Sequence, residues 1–87
     1  MKVVWKYPIS MFAGPTSMPR GARIIHAGLD CRESICIWVE VDPAQPEELR
    51  TIKIIGTGGS SVPEGCSHVA SVVHGEFVWH VYAEDRP

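Results

Sequence analysis

Between positions 34 and 41, Ile35, Ile37, Val39 and Val41 alternate with Cys36, Trp38 and Glu40. A period of two sets the four β-branched residues on one face of an extended strand and the other three on the opposite face. The same period recurs along the chain. Val3, Trp5 and Tyr7 share one face of a first strand; Phe77, Trp79, Val81 and Ala83 share one face of a last, with Val78, His80 and Tyr82 facing the other way. No stretch of ten residues carries a helical period. A chain patterned like this is restricted to an all-β fold, or to a β-rich α+β fold with at most one short helical turn, begun at Pro43 or Pro46.

Strands are expected over 2–7, 22–29, 34–41, 49–55, 68–73 and 76–83. Pro8 cannot donate to a ladder and marks the first of these as an edge. Gly14, Pro15, Pro19 and Gly21 make 11–21 a loop, with Met11, Phe12 and Met18 tucked against the core. Asp30 to Glu33 is a polar turn, and His74-Gly75 is a tight one, so the second and third strands, and the fifth and sixth, read as hairpins. Residues 84–87 read as a frayed tail. The expected architecture is a single small domain, 1–87, built on an antiparallel sheet of about six strands, curled or sandwich-like. No internal repeat or low-complexity tract is legible.

A chain of 87 residues buries only about 60–65% of the surface its unfolded form exposes. Several strands nonetheless carry apolar groups on both faces, more than one small core absorbs. The second face is therefore expected to pack on another copy, giving a homo-oligomer. The formal charge of −2, with Lys and Arg scattered singly, excludes the basic stripe of a duplex-DNA binder. Three cysteines, Cys31, Cys36 and Cys66, are an odd set for a secreted disulfide scaffold and fit a reduced cytoplasm. The first residues are too polar for a signal segment, and no apolar run approaches the length of a membrane span.

The chemistry-bearing stretch is Ile54-Ile55-Gly56-Thr57-Gly58-Gly59-Ser60-Ser61. A β-branched strand stops at three glycines and three hydroxyls, where backbone can approach another molecule closely. It lacks the Lys and following helix of a phosphate loop, so neither nucleotide fingerprint applies. What remains is a row of amides and hydroxyls suited to an anion or a ribose, or else a plain surface loop. Around it the candidate ligand-binding residues are Gly56, Thr57, Gly58, Gly59, Ser60 and Ser61. Arg50, with Arg23 as the alternative, supplies charge, and Trp38 or His80 a stacking face. Cys31 and Cys36 fit only the long end of zinc-knuckle spacing, and no metal or cofactor is expected. A serine from 60–61 with His68 or His74 imitates a hydrolase dyad, but no acid completes it, and no enzyme is expected. Glu40 is expected to pair with Arg50 or Lys53 across the sheet.

Trp5-Lys6-Tyr7-Pro8, Met18-Pro19-Arg20-Gly21-Ala22, Ile37-Trp38 with Val41-Asp42-Pro43, Ile55-Gly56-Thr57-Gly58 and Phe77-Val78-Trp79-His80-Val81 together span nearly the whole chain. In these segments the sequence resembles a family of small, uncharacterised tailed-phage and prophage proteins. The resemblance implies a phage accessory protein in the host bacterial cytoplasm and assigns no catalytic residue. In that context the expected function is non-enzymatic: an anti-defence protein that sequesters a nucleotide-like signal. The alternatives are an interaction module that inhibits a host protein, or a virion or replication accessory subunit.

Overall fold

The computed structural model describes residues 1–10, 14–59 and 61–85, and every regular element among them is a strand. Eight are present: β1 (Val3–Pro8), β2 (Thr16–Pro19), β3 (Arg23–Leu29), β4 (Ile35–Val41), β5 (Glu47–Arg50), β6 (Ile52–Gly56), β7 (Cys66–His74) and β8 (Phe77–Glu84). All pairings are antiparallel. The fold is all-β, with three small sheets ordered β1-β4-β3, β2-β5 and β6-β8-β7. No helical turn forms at Pro43 or Pro46; the Asp42 carboxylate and carbonyl instead accept the amides of Ala44 and Gln45 and close a turn.

Two expected elements divide differently. The segment 49–55 breaks at Thr51, because β5 pairs with β2 while β6 pairs with β8. Thr51 accepts Glu84 N–H at its carbonyl and donates its own amide to the Glu84 carboxylate. The chain changes sheets there. Within the expected loop 11–21, Thr16 to Pro19 forms β2 despite its proline, since a two-stranded ribbon leaves free edges. Met18 is buried at its end as anticipated; Met11 and Phe12 lie outside the described residues, as do Arg86 and Pro87 of the expected tail.

Both anticipated hairpins are present. At the first, the Asp30 carboxylate accepts the amides of Arg32 and Ser34, and its carbonyl accepts that of Glu33, which takes a left-handed φ of 61°. The second turns on Gly75-Glu76, one place later than expected, with Gly75 at φ 63°.

The core draws on all three sheets: Ala27, Ile37, Val39 and Val41 from the first, Met18 from the ribbon, and Ile52, Ile54, Val72, Val81 and Ala83 from the third. The alternation holds over 37–41, with Ile37, Val39 and Val41 inward and Trp38 and Glu40 half-buried on the other face, but Cys36, expected on that second face, is fully buried and Ile35 only half-buried. Glu40 pairs with Lys2 at 3.8 Å, not with Arg50 or Lys53, because its neighbours are β1 and β3 and those two residues belong to other sheets.

The two three-stranded sheets share one topology, although no internal repeat is legible in the sequence. Each three-stranded sheet is a lone strand plus a hairpin, and the hairpin's second strand lies in the middle. Each hairpin's first strand also carries a bulge, at Ile25 in β3 and at Val69 in β7. Both bulged strands are sheet edges, and they run beside one another without sharing a ladder. Among the described residues no helix is long and apolar enough to cross a membrane.

Candidate functional site

The glycine-rich loop begins with a tight turn. Gly59 N–H donates to Gly56 O at 3.0 Å, and Gly58 sits third in the turn at φ 75°, the place where a type II turn needs glycine. Thr57 N–H donates to Val78 O at 3.3 Å. Two amides of the expected anion nest are therefore engaged within the protein. Gly56 serves packing: a Cβ there would lie 3.3 Å from the Trp79 ring. Ser61 is exposed, and Ser60 lies outside the described residues.

The loop does bring Thr57 to His80. Thr57 Oγ1 and His80 Nε2 are 2.8 Å apart, His80 Nδ1 and Ser71 Oγ are 2.8 Å apart, and Ser71 Oγ and His68 Nε2 are 3.1 Å apart. With the Thr57 hydroxyl turned to Val78 O, 3.4 Å away, His80 takes the tautomer that donates from Nε2. That leaves His80 Nδ1 to accept from the Ser71 hydroxyl, whose oxygen then accepts His68 Nε2–H. Tyr82 stands edge-on to His68, ring centres 5.4 Å apart.

Register explains the closeness. Residues 78 and 84 of β8 hydrogen-bond toward β6. By the alternation of an antiparallel ladder, His80 and Tyr82 do so too. The cross-strand pairs Ser71–His80 and His68–Tyr82 are thus of the non-hydrogen-bonded kind, in which side chains approach most closely. His68 and Ser71, three apart, would fall on opposite faces of a regular strand; the bulge at Val69 returns them to the same face.

A second feature lies between the bulged edges. A cleft of about 890 Å³ separates β3 from β7, with Arg23 and His26 on one side and Ser67 and His68 on the other. Its two histidines occupy corresponding places. His26 is opposite Trp38, which is opposite Lys6; His68 is opposite Tyr82, which is opposite Lys53. His26 and Trp38 ring centres are 5.1 Å apart, close to the His68–Tyr82 spacing. Each sheet therefore carries a row of Lys, aromatic and His, with the imidazole at the cleft.

The other expected ligand residues are dispersed. Arg50 lines the same cleft, but its guanidinium donates to Ala22 O at 2.9 Å and to Glu84 O at 3.2 and 3.3 Å. It precedes β6 and the loop follows it, about 20 Å of extended chain apart. Trp38 is on the first sheet. Sequence reasoning missed Ser71, and had set His68 against the wrong serines. The available signal was the 75–76 turn, from which counting outward pairs 71 with 80.

Cys31 is exposed, Cys36 is buried and Cys66 is half-buried. Cys36 donates to Asp30, and burial raises its thiol pKa.

No curated protein and no solved structure matches the chain. A family model, described as a domain of unknown function (DUF7352), matches residues 1–87. The chain belongs to that domain family over its whole length.

Proposed function

We propose that this domain is a binding module for a small nucleotide-like anion, held in the cleft between β3 and β7. The observation that carries the reading is the repeated row: two imidazoles, each backed by an aromatic ring of its own sheet, flank one cleft. Planar groups stack on such platforms, and exposed Arg23 beside His26 offers charge to a phosphate. The resemblance to tailed-phage proteins supports a setting in the bacterial cytoplasm and a host nucleotide signal as the ligand.

Native mass spectrometry of untagged protein from bacteria, followed by calorimetry with ADP-ribose and cyclic dinucleotides, tests this. His26→Ala and His68→Ala should each weaken binding by roughly 5- to 150-fold, the effect of removing one stacking platform at about 1–3 kcal/mol. A bare chain with no heat of binding for any of these nucleotides at millimolar concentration would refute it.

A second reading has its own observation. The tip of the β7–β8 hairpin exposes Val73 (68%) and Phe77 (63%), with Val78 beside them. Such a tip supports contact with a second copy or with a host protein. Phe77→Ser should abolish that contact and leave nucleotide binding intact, read by light scattering and by pull-down.

A further inference from the structure

We infer that Ser71 is a nucleophile activated by His80, able to accept an acyl group from a small activated ester. This goes beyond a binding role and rests on separate residues, His68 apart. Three requirements of such chemistry meet here. The hydroxyl of Ser71 is exposed and donates to a base, His80 Nδ1, at 2.8 Å. A third group orients the base: Thr57 Oγ1 stands 2.8 Å from His80 Nε2 and 3.4 Å from Val78 O, and with its hydroxyl turned to Val78 it accepts Nε2–H and leaves Nδ1 to accept from Ser71. Donors also stand where an oxyanion would form. His68 Nε2–H lies 3.1 Å from Ser71 Oγ, within reach of an oxygen one atom further out. Ser71's own amide is the other donor: in a non-hydrogen-bonded pair it points away from β8, toward the edge of β7 that no strand of its sheet occupies.

The step balances with the ester alone. Ser71 Oγ forms a bond to the carbonyl carbon while its proton passes to His80 Nδ1. The carbonyl oxygen takes the negative charge and is met by His68 Nε2–H and the Ser71 amide. Collapse breaks the bond to the leaving alkoxide, which takes the proton from His80 and departs as the alcohol, leaving an acyl-serine. Water attacks by the same route to release the acid. Ser71 and His80 are the catalytic pair, His68 meets the developing charge, and Thr57 is a positioning residue.

The full-length protein would be treated with p-nitrophenyl acetate and, separately, with an alkyl fluorophosphonate, then examined by intact mass and peptide mapping. One adduct per chain is expected, on Ser71. Ser71→Ala should abolish it, and His80→Ala should slow it by about 100-fold or more. Thr57→Val should slow it, and Thr57→Ser should restore it, a pattern that a merely structural role would not give. Ser17→Ala, at an exposed serine of the β2–β5 ribbon, should leave it unchanged, and labelling is read with no nucleotide present, so its failure is distinct from failure of the cleft reading. No adduct above that on heat-denatured protein would overturn the assignment, as would labelling spread over Ser17, Ser61 and Ser71 alike.

Discussion

Arg50 donates one guanidinium nitrogen to Ala22 O at 2.9 Å and two to Glu84 O, so a single side chain ties the approach to β3 to the end of β8. Charge-assisted bonds of this kind contribute about 1.5–3 kcal/mol where the acceptors are otherwise left unsatisfied. Arg50→Ala should therefore lower stability by about 2 kcal/mol, measured by urea unfolding. Arg50→Lys should recover little of that, since an ammonium does not reproduce the fork. An unchanged midpoint for Arg50→Ala would show the staple to be idle.

Gly56 leaves room for Trp79. A methyl at 56 would meet the ring at 3.3 Å, closer than relaxed contacts allow, and the half-buried indole has core residues behind it. Gly56→Ala should cost about 1–2 kcal/mol from overpacking and change the intrinsic fluorescence of the protein. A variant as stable as the parent, with an identical emission spectrum, would contradict this.

Asp30 makes stability depend on acid. The amide of Ser34 and the ammonium of Lys6, at 3.0 Å each, hold its carboxylate well below the ordinary value of 3.8. A group depressed in the folded state contributes stability that is present above the unfolded value and lost as the pH falls below it. Asp30→Asn should lower the thermal midpoint at pH 7, and the difference from the parent should shrink steadily below about pH 4. A difference constant from pH 7 to pH 2 would mean that the carboxylate charge plays no part.

The three thiols should separate by reactivity. Cys31 is exposed; Cys66 and Cys36 have their thiol pKa raised by burial, and Cys36 is wholly covered. Thiolate is the reactive form. Iodoacetamide at pH 7.5 should therefore modify Cys31 first, Cys66 more slowly, and Cys36 only on unfolding. Early label at Cys36 by peptide mapping would place that strand at the surface.

Much of the fold was legible because its causes are local. The two-residue period of Ile35, Ile37, Val39 and Val41 fixes an extended strand and its buried face, and Asp30 and Gly75 mark turns by chemistry carried within a few residues. The break at Thr51 was not legible. Nothing in Leu49 to Ile55 distinguishes a strand that stays in one sheet from one that changes partners, because pairing is decided by residues thirty positions away. The expected nest at 56–59 gave way for a similar reason, since Val78 and Gly56 supply carbonyls that occupy the amides of Thr57 and Gly59.

The two three-stranded sheets show the same division. Lys6, Trp38 and His26 share a row, as do Lys53, Tyr82 and His68, yet the corresponding residues are offset by differing amounts along the chain, so no self-similarity surfaces in the sequence. By itself the sequence determined that the chain is β-rich with at most one helical turn, which residues of 35–41 and 77–83 share a face, and that Thr57 follows a strand into a glycine turn. Only the tertiary structure set His68 beside Ser71 and Ser71 beside His80. The physical reason is that a strand's alternation is a local property, whereas a single bulged residue at Val69 resets the face of everything beyond it, and ladder register then decides which side chains meet.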